Sequence, residues 1–173
     1  MKRLIFLFFI IATLFISLVG CNSTSDASQV IDTTKSENFS KNNEGDVLAT
    51  IYTSDSLAEN IINKEITLKE LSADSLFNEL KNQKVINENT ALNNYKSYKE
   101  NGQIIGVIDF SKEFYDSNLG SSGESLMLNS IAKTYIDNFK LDKFKILVNG
   151  NEYESGHILF EKDDFFTKDG LSN

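Results

Sequence analysis

The chain has 173 residues, the length of one ordinary domain with extensions, and its 17 basic and 25 acidic residues give a formal net charge of −8. Arg3 is its only arginine. A nucleic-acid-binding protein needs clustered lysine and arginine to neutralise phosphates, so this composition excludes nucleic acid as the expected partner. The same charge would be repelled by an anionic lipid surface, so electrostatic attraction is not what would hold the chain at a membrane.

The first 21 residues have the pattern of a lipoprotein signal peptide. Lys2 and Arg3 precede an apolar run over residues 4–19, and Gly20 leads directly into Cys21. This pattern resembles the lipobox, in which the cysteine sulfur receives a diacylglyceryl group and the chain is cleaved before it. The alternative is an uncleaved anchor, but a helix of about 16 residues spans roughly 24 Å, less than the roughly 30 Å hydrocarbon core.

Cys21 is the only cysteine, so it has no internal disulfide partner, and lipid attachment accounts for it. We therefore predict a signal peptide over residues 1–20, with Cys21 lipidated on the extracytoplasmic face of the cell membrane. Two acyl chains provide the two-signal anchoring that a single chain lacks. Residues 21–46 are rich in Ser, Thr, Asn, Asp and Lys, with too little apolar surface to offset the entropy of ordering, and they predict a flexible linker.

The first half of the predicted domain contains two strand patterns and one capped helix. Residues 47–52 are branched and aromatic and predict a strand, and residues 65–69 alternate as a half-exposed strand does. Ser72 is a good N-cap for a helix over residues 73–82, whose apolar positions share one face. Residues 87–101 are polar and predict a loop or irregular structure.

A buried strand and the most regular helix of the chain come next. Residues 104–110 are apolar on both faces, which is typical of a central strand. Ser121 and Glu124 fit the S-x-x-E capping box, in which both side chains bond free amides at the helix start. The apolar positions that follow have helical spacing: Leu128, Ile131, Tyr135 and Phe139.

The predicted domain ends with a hairpin. Residues 144–148 predict a strand, Asn149 and Gly150 are the strongest short hairpin signal, and residues 152–154 return along that strand. The acidic and aromatic residues 161–173 predict a C-terminal tail that frays outside a domain covering residues 47–160.

The second half of the chain resembles a known domain. Its features are a strand running into a turn at residues 106–114, a Ser-Gly-Glu loop at 122–124, a helix over 128–134 and a strand ending in glycine at 144–150. Together they resemble the GerMN domain, the sporulation and spore-germination domain, over about residues 47–160. Members of that family usually carry prolines before the central strand, and this chain has none. The resemblance implies a module that assembles or stabilises an envelope complex, with sporulation or germination proteins as partners.

Candidate catalytic residues are few. His157 is the only histidine, whereas a Ser-His-Asp triad needs one with defined neighbours and a zinc site usually needs several. We therefore predict His157 to be an ordinary surface or packed residue. Lipidation of Cys21 leaves no thiol nucleophile. No catalytic residue, cofactor or metal site is predicted, and residues 163–164 lack the ligand spacing of a calcium loop.

Asp109, Glu113 and Asp116 follow the central strand and suggest an alternative function, a cell-wall hydrolase. A glycosidase needs two carboxyl groups about 5–10 Å apart in a cleft, one of them with a raised pKa. A domain of about 115 residues leaves little room for a deep cleft, so solvated acids in a turn are the favoured interpretation. Residues 120–123 precede a helix and would offer amides to an anion, but the chain has no lysine there, so helix capping explains them better.

The expected fold is α+β: a small, mostly antiparallel sheet with two helices packed on one face, preceded by the signal peptide and the linker. The expected function is non-enzymatic, a lipid-anchored module that binds or scaffolds envelope partners, with no small-molecule substrate identified. An exposed strand edge at residues 145–148 is the expected means of association. A solute-binding lipoprotein is disfavoured because such proteins need two lobes around their ligand.

Overall fold

The computed structural model describes residues 29–31 and 45–172 of the chain, with side chains from 45 to 171. The predicted signal peptide, Cys21 and most of the predicted linker lie outside the described residues. The helices are α1 (Ala73–Asn82) and α2 (Ser121–Phe139), and a 3₁₀ helix covers Lys112–Ser117. The strands are β1 (Gln29–Ile31), β2 (Val47–Ser54), β3 (Ile61–Leu68), β4 (Leu92–Glu100), β5 (Gln103–Phe110), β6 (Lys143–Val148), β7 (Asn151–Glu152), β8 (Phe165–Thr167) and β9 (Gly170–Ser172).

The described strands form one large sheet and one separate hairpin. The large sheet has the order β1-β4-β5-β6-β8-β9, with β7 paired to the end of β6, and the hairpin consists of β2 and β3. Only β5 and β6 among these neighbours run parallel, because the 3₁₀ helix and α2 form a crossover connection between them. The other neighbours are antiparallel. The predicted α+β fold with a mostly antiparallel sheet is therefore confirmed.

The hydrophobic core lies between one face of the large sheet and the layer formed by the two helices and the hairpin. Leu128, Ile131 and Tyr135 of α2 are at most 1% exposed, as their helical spacing predicted. The Tyr135 ring stacks on Phe144 of β6, with 5.1 Å between ring centroids. This contact joins the longest described helix to the centre of the sheet.

The edge of β2 that faces α2 is covered by side chains rather than by a strand. Asn138 Oδ1 accepts a hydrogen bond from the Thr50 N–H at 3.0 Å, and Asn138 Nδ2 donates to the Thr50 carbonyl at 2.7 Å. Thr134 Oγ1 accepts from the Tyr52 N–H at 3.1 Å. These helix side chains satisfy backbone groups that a neighbouring strand would otherwise pair.

Two local predictions match the structure closely. Ser72 is the N-cap of α1, its hydroxyl accepting from the Ser75 N–H at 3.1 Å while the Ser75 hydroxyl accepts from the Ser72 N–H at 2.9 Å. Asn149 and Gly150 have φ angles of 49° and 76°, the left-handed conformation that such a turn requires. The β7 strand then pairs back onto β6, which confirms the predicted hairpin.

The prediction of a loop over residues 87–101 is wrong, because β4 occupies most of that segment. Its polarity reflects its position: β4 lies near the edge of the sheet, and several of its side chains reach solvent. Tyr95 points into the core, where its ring lies 5.6 Å from that of Tyr135 and 5.3 Å from that of Phe139. A strand with only two large side chains packed against the core, Leu92 and Tyr95, is hard to distinguish from a loop by pattern.

Two segments predicted to lie outside the domain contribute strands to it. The C-terminal tail contains β8 and β9, and Phe166 of β8 is only 3% exposed where it pairs with Phe144. Residues 29–31, within the predicted flexible linker, form β1 and pair with β4. The linker prediction rested on polar composition and the tail prediction on an acidic and aromatic one, and neither segment shows by its own pattern that a distant strand is available to pair with it.

The predicted exposed edge at residues 145–148 is also wrong. The β6 strand is interior, with β5 on one side and β7 and β8 on the other. The second side is covered by β7, which follows the turn at Asn149, and by β8, which belongs to the C-terminal segment that was expected to fray. The second side of β6 is therefore largely occupied, at Phe144 by β8 and at Leu147 and Val148 by β7.

Candidate functional site

A cleft of about 500 Å³ opens where the 3₁₀ helix, the start of α2 and the chain after β7 come together. Phe114 and Tyr115 come from the 3₁₀ helix, Glu124 and Met127 come from α2, and residues 153–157 close the remaining side. The 3₁₀ helix and α2 belong to the crossover between β5 and β6, while residues 153–157 follow the β6–β7 hairpin. The cleft is therefore formed by chain segments that precede β6 in the sequence and by segments that follow it.

A buried carboxylate lies at the base of the cleft. Glu124 is 4% exposed, and its Oε1 accepts a hydrogen bond from the Tyr153 hydroxyl at 2.5 Å. No lysine or histidine of the described part of the chain lies within 4.0 Å of the Glu124 oxygens. A buried carboxylate with one neutral donor as its partner is energetically costly, and such groups are concentrated at functional positions.

The predicted capping role of Glu124 is wrong. The N-cap of α2 is Gly120, one residue earlier than predicted, and it makes no side-chain capping bond. Glu124 is therefore one position too late to reach back to the N-cap amide. It shares the apolar stripe of α2 with Leu128 and Ile131 and is buried with them. A carboxylate on the apolar stripe was the signal in the sequence that this acid has a role other than capping.

Aromatic rings surround the buried carboxylate. Tyr153 is 2% exposed, and its ring lies 5.8 Å from Phe114, 5.4 Å from Tyr115 and 5.6 Å from Phe160. The Tyr115 hydroxyl accepts a long hydrogen bond, 3.4 Å, from the Glu154 N–H. Burial and the hydrogen bond to Glu124 raise the pKa of the Tyr153 hydroxyl, so it remains a proton donor to the carboxylate.

The raised pKa of Tyr153 predicts a loss of stability in alkaline solution. Below its ordinary value of 10.0 the residue is protonated in both the folded and the unfolded chain, so its contribution is fully present. Above that pH the unfolded chain releases the proton first, which favours unfolding. The Tyr153→Phe variant should therefore lose less stability than the wild type between about pH 9 and pH 11, measured by urea unfolding. Equal losses in the two proteins would contradict this assignment.

Asp109, one of the three acids of the alternative hydrolase, has a structural role. Its Oδ1 accepts a hydrogen bond from the Gly150 N–H at 2.8 Å, and Asn93 Nδ2 lies 3.4 Å from its Oδ2. The Asp109 carboxylate thus links the end of β5 to the turn between β6 and β7. The sequence predicted a solvated acid in a local turn, whereas Asp109 bonds an amide 41 residues away.

Glu113 and Asp116 do not form the acid pair that a glycosidase needs. A hydrogen bond with Ser111 lowers the pKa of Glu113, the opposite of the shift required of a general acid. Asp116 is exposed on the 3₁₀ helix. Neither acid belongs to the lining of the cleft.

His157 belongs to the lining of the cleft, whereas residues 120–123 do not. His157 is exposed on the rim, where its N–H donates to the Ser155 hydroxyl at 3.1 Å. Residues 120–123 form the start of α2.

Within residues 45–171 no three His, Cys, Asp or Glu side chains are grouped closely enough to hold a metal ion. No helix of the described residues combines the length and apolarity needed to cross a bilayer.

Two solved structures are similar to this chain. A candidate lipoprotein from Clostridium perfringens is 20% identical, and the alignment covers 78% of this chain and 95% of that one with a TM-score of 0.41. The tandem GerMN domains of the sporulation protein GerM from Bacillus subtilis are also 20% identical, with a TM-score of 0.50. That alignment covers 74% of this chain and 51% of the other, so this chain spans about half of the tandem-domain structure. No curated protein sequence matches the chain.

A family model described as Germane, sporulation and spore germination, matches residues 30–154, more than two thirds of the chain. The match includes the β2–β3 hairpin, the central β4–β6 strands and both helices, and it ends within the segment that closes the cleft. The GerMN-like fold predicted from the second half of the sequence is confirmed, and the chain belongs to the Germane family of sporulation and spore germination.

Proposed function

We propose that this protein is a lipoprotein of the extracytoplasmic membrane surface whose Germane domain binds another protein of the cell envelope. Its role is non-enzymatic, the assembly or stabilisation of an envelope complex in sporulation or spore germination. The observation that carries the binding role is the Glu124 cleft, which combines a buried carboxylate, aromatic walls and an open mouth.

The proposed location rests on the sequence before the domain. The positively charged start, the apolar run over residues 4–19 and the Gly20–Cys21 step together match the lipobox pattern. The first described strand of the domain, β1, begins at Gln29, so residues 22–28 separate it from the proposed lipid-bearing sulfur. A segment of that length spans at most about 25 Å when fully extended, so the lipid would hold the domain close to the membrane surface.

The proposed binding role rests on the surface around the cleft. Tyr115 is 40% exposed and Leu119 is 41% exposed, both at the mouth. Exposed apolar side chains around a recessed polar group are characteristic of protein–protein interfaces, in which a central anchor is desolvated by the residues around it. Asp109 bonds the Gly150 amide, and a hydrogen bond with Ser111 lowers the pKa of Glu113, so the acid cluster does not favour the hydrolase.

Replacing Cys21 with alanine should release the protein from the membrane. Because the sulfur would carry both acyl chains, the variant should lose incorporation of a palmitate analogue and move from the membrane fraction to the medium or wall fraction. A matched Ser23→Ala variant, two residues away in the linker, should remain labelled and membrane-bound. Retention of label by Cys21→Ala would contradict the proposed anchor.

Photocrosslinking from the cleft should capture an envelope protein in living cells. A photoreactive phenylalanine analogue at Tyr115 lies at the mouth, whereas the same analogue at Asn63, exposed on β3, serves as the control. We expect a discrete adduct from position 115, identified by mass spectrometry, and at most a minor one from position 63. Equal adducts from both positions, or none from position 115, would count against binding at the cleft.

A further inference from the structure

The lining of the cleft is mainly acidic. Glu124 and Glu154 are both part of it, the exposed His157 on the rim is its one basic side chain, and no lysine or arginine belongs to it. Glu124 is the more informative of the two because it is 4% exposed, whereas Glu154 lies in solvent on the rim. The electrostatic complement of this surface is a cation that the described part of the chain does not supply.

The hydrogen bonding of Glu124 is incomplete. Its Oε1 accepts from the Tyr153 hydroxyl, whereas its Oε2 has no hydrogen-bond donor among the described residues and keeps some contact with solvent in the cleft. A desolvated carboxylate is normally matched by a cation or by several donors, and a neutral hydroxyl alone does not compensate its charge. A cation that enters the cleft would meet the free oxygen directly.

The walls suit an alkylammonium group. The Tyr115 ring is 40% exposed and open to the cleft, whereas Tyr153 and Phe114 are buried behind it, with 5.4 Å between the Tyr115 and Tyr153 centroids. Aromatic faces attract a cation through their quadrupole and also contact the methylene groups of a long side chain. A cavity of about 500 Å³ is large enough for a single such side chain with its solvent.

The geometry distinguishes ammonium from guanidinium. A guanidinium binds a carboxylate best when both oxygens are free for two parallel hydrogen bonds. Tyr153 already donates to one oxygen of Glu124, which disfavours the paired approach that a guanidinium fork needs. A compact ammonium needs a single acceptor, which this arrangement provides.

From these observations we propose that the cleft receives the side chain of a lysine on a partner protein, with the lysine ammonium bound to Glu124 and its methylene stem against the exposed Tyr115 ring. The exposed Tyr115 and Leu119 at the mouth then contact the partner surface around that lysine. The formal charge of −8 on the chain favours encounter with a basic partner surface. This inference rests on the proposed function, because it gives the chemistry of the partner that the domain would bind.

The test uses the full chain in detergent micelles and three capped amino acids without charged termini. Saturation-transfer NMR measures binding of Nα-acetyl-lysine N-methylamide, its arginine counterpart and its norleucine counterpart, which keeps the stem and lacks the ammonium. We expect millimolar binding of the lysine compound, weaker binding of the arginine compound and none of the norleucine compound. Equal binding of lysine and norleucine compounds would overturn the proposal. Tighter binding of free 1,5-diaminopentane than of the lysine compound would replace the partner lysine by a free amine.

Three variants test whether Glu124 binds a ligand or only forms a structural hydrogen bond with Tyr153. Glu124→Gln keeps the shape and the acceptor for Tyr153, and it should weaken lysine binding by about tenfold or more. Tyr115→Leu should weaken binding several-fold without touching the buried pair. Glu65→Gln, an exposed acid on β3, removes the same charge far from the cleft and should leave binding unchanged. If Glu124→Gln folds with an unchanged thermal midpoint and binds lysine as well as the wild type, the ammonium site is refuted.

The outcomes also separate this inference from the proposed function. A discrete adduct from position 115 in cells, together with no selectivity for the lysine compound, would keep the partner-binding role and remove the ammonium site. Selective lysine binding without a cellular adduct would keep the ammonium site and contradict the partner-binding role.

Discussion

Replacing Phe166 with alanine should lower the free energy of unfolding by about 3–5 kcal/mol, the usual cost of removing a buried phenylalanine ring. Phe166 is 3% exposed, it pairs with Phe144 of β6, and its ring meets Phe160 edge to face with 5.3 Å between centroids. The alanine variant would leave a cavity at the edge of the core. Urea unfolding followed by circular dichroism measures the loss.

A matched control lies in the same C-terminal hairpin. Leu171 of β9 pairs with Phe166 across the strands and is 45% exposed. Leu171→Ala should cost less than about 1 kcal/mol, since an exposed side chain loses little burial. Similar small losses in both variants would mean that β8 and β9 are peripheral to the stability of the domain. Lys145 is a further link to this segment, because its ammonium bonds Glu152 at 3.0 Å and lies 4.6 Å from the centroid of the Phe165 ring.

Replacing Asn138 with leucine should destabilise the domain by about 2–4 kcal/mol, because the part-buried N–H and carbonyl of Thr50 would both lose their partner. Leucine is similar in size to asparagine, so the loss comes mainly from hydrogen bonding. We also expect the Thr50 amide to exchange with solvent much faster in the variant, which hydrogen exchange can measure. The exchange rate of this one amide distinguishes release of β2 from a general loss of stability.

The control for this variant is Asn129→Leu on the same helix. Asn129 Nδ2 donates only to the carbonyl of Ser125, one turn earlier in α2, at 2.8 Å. Its replacement should cost less than about 1 kcal/mol and leave the exchange of the Thr50 amide unchanged. If both variants lose the same stability, the Asn138 bonds are not what holds the hairpin against α2.

The two largest predicted effects concern parts of the fold that support the cleft from different sides. Phe160 contacts both Phe166 and Tyr153, so β8 supports the ring that donates to Glu124. The hairpin packs on the C-terminal half of α2, and the first turn of the same helix carries Glu124. We therefore expect stability and ligand binding to be separable, since Glu124→Gln changes the cleft without removing any of these contacts.

Local signals in the sequence identified most of the regular elements. The Ser72 cap, the Asn149–Gly150 turn, the apolar stripe of α2 and the buried β5 strand each depend on residues within a few positions of one another. Such signals act through hydrogen bonds and burial at short sequence separation, so they can be read without knowledge of the fold. The capping-box prediction at Glu124 failed by a single residue, and that shift changed the predicted role of the acid.

The sequence by itself was enough to predict the family resemblance, the lipobox pattern, the apolar stripe of α2 and the hairpin. Each of these depends on residues that are close together along the chain. Only the tertiary structure decided that β8 returns to β6, that Asn138 reaches Thr50 across 88 positions and that Tyr153 meets Glu124 across 29. These pairings join groups that have no partner nearby in the sequence. An unpaired backbone edge, an exposed ring or a lone buried carboxylate would each cost free energy, and the long-range contacts of the folded chain avoid that cost. The cleft is made of such long-range contacts, and for that reason it could not be predicted from the sequence.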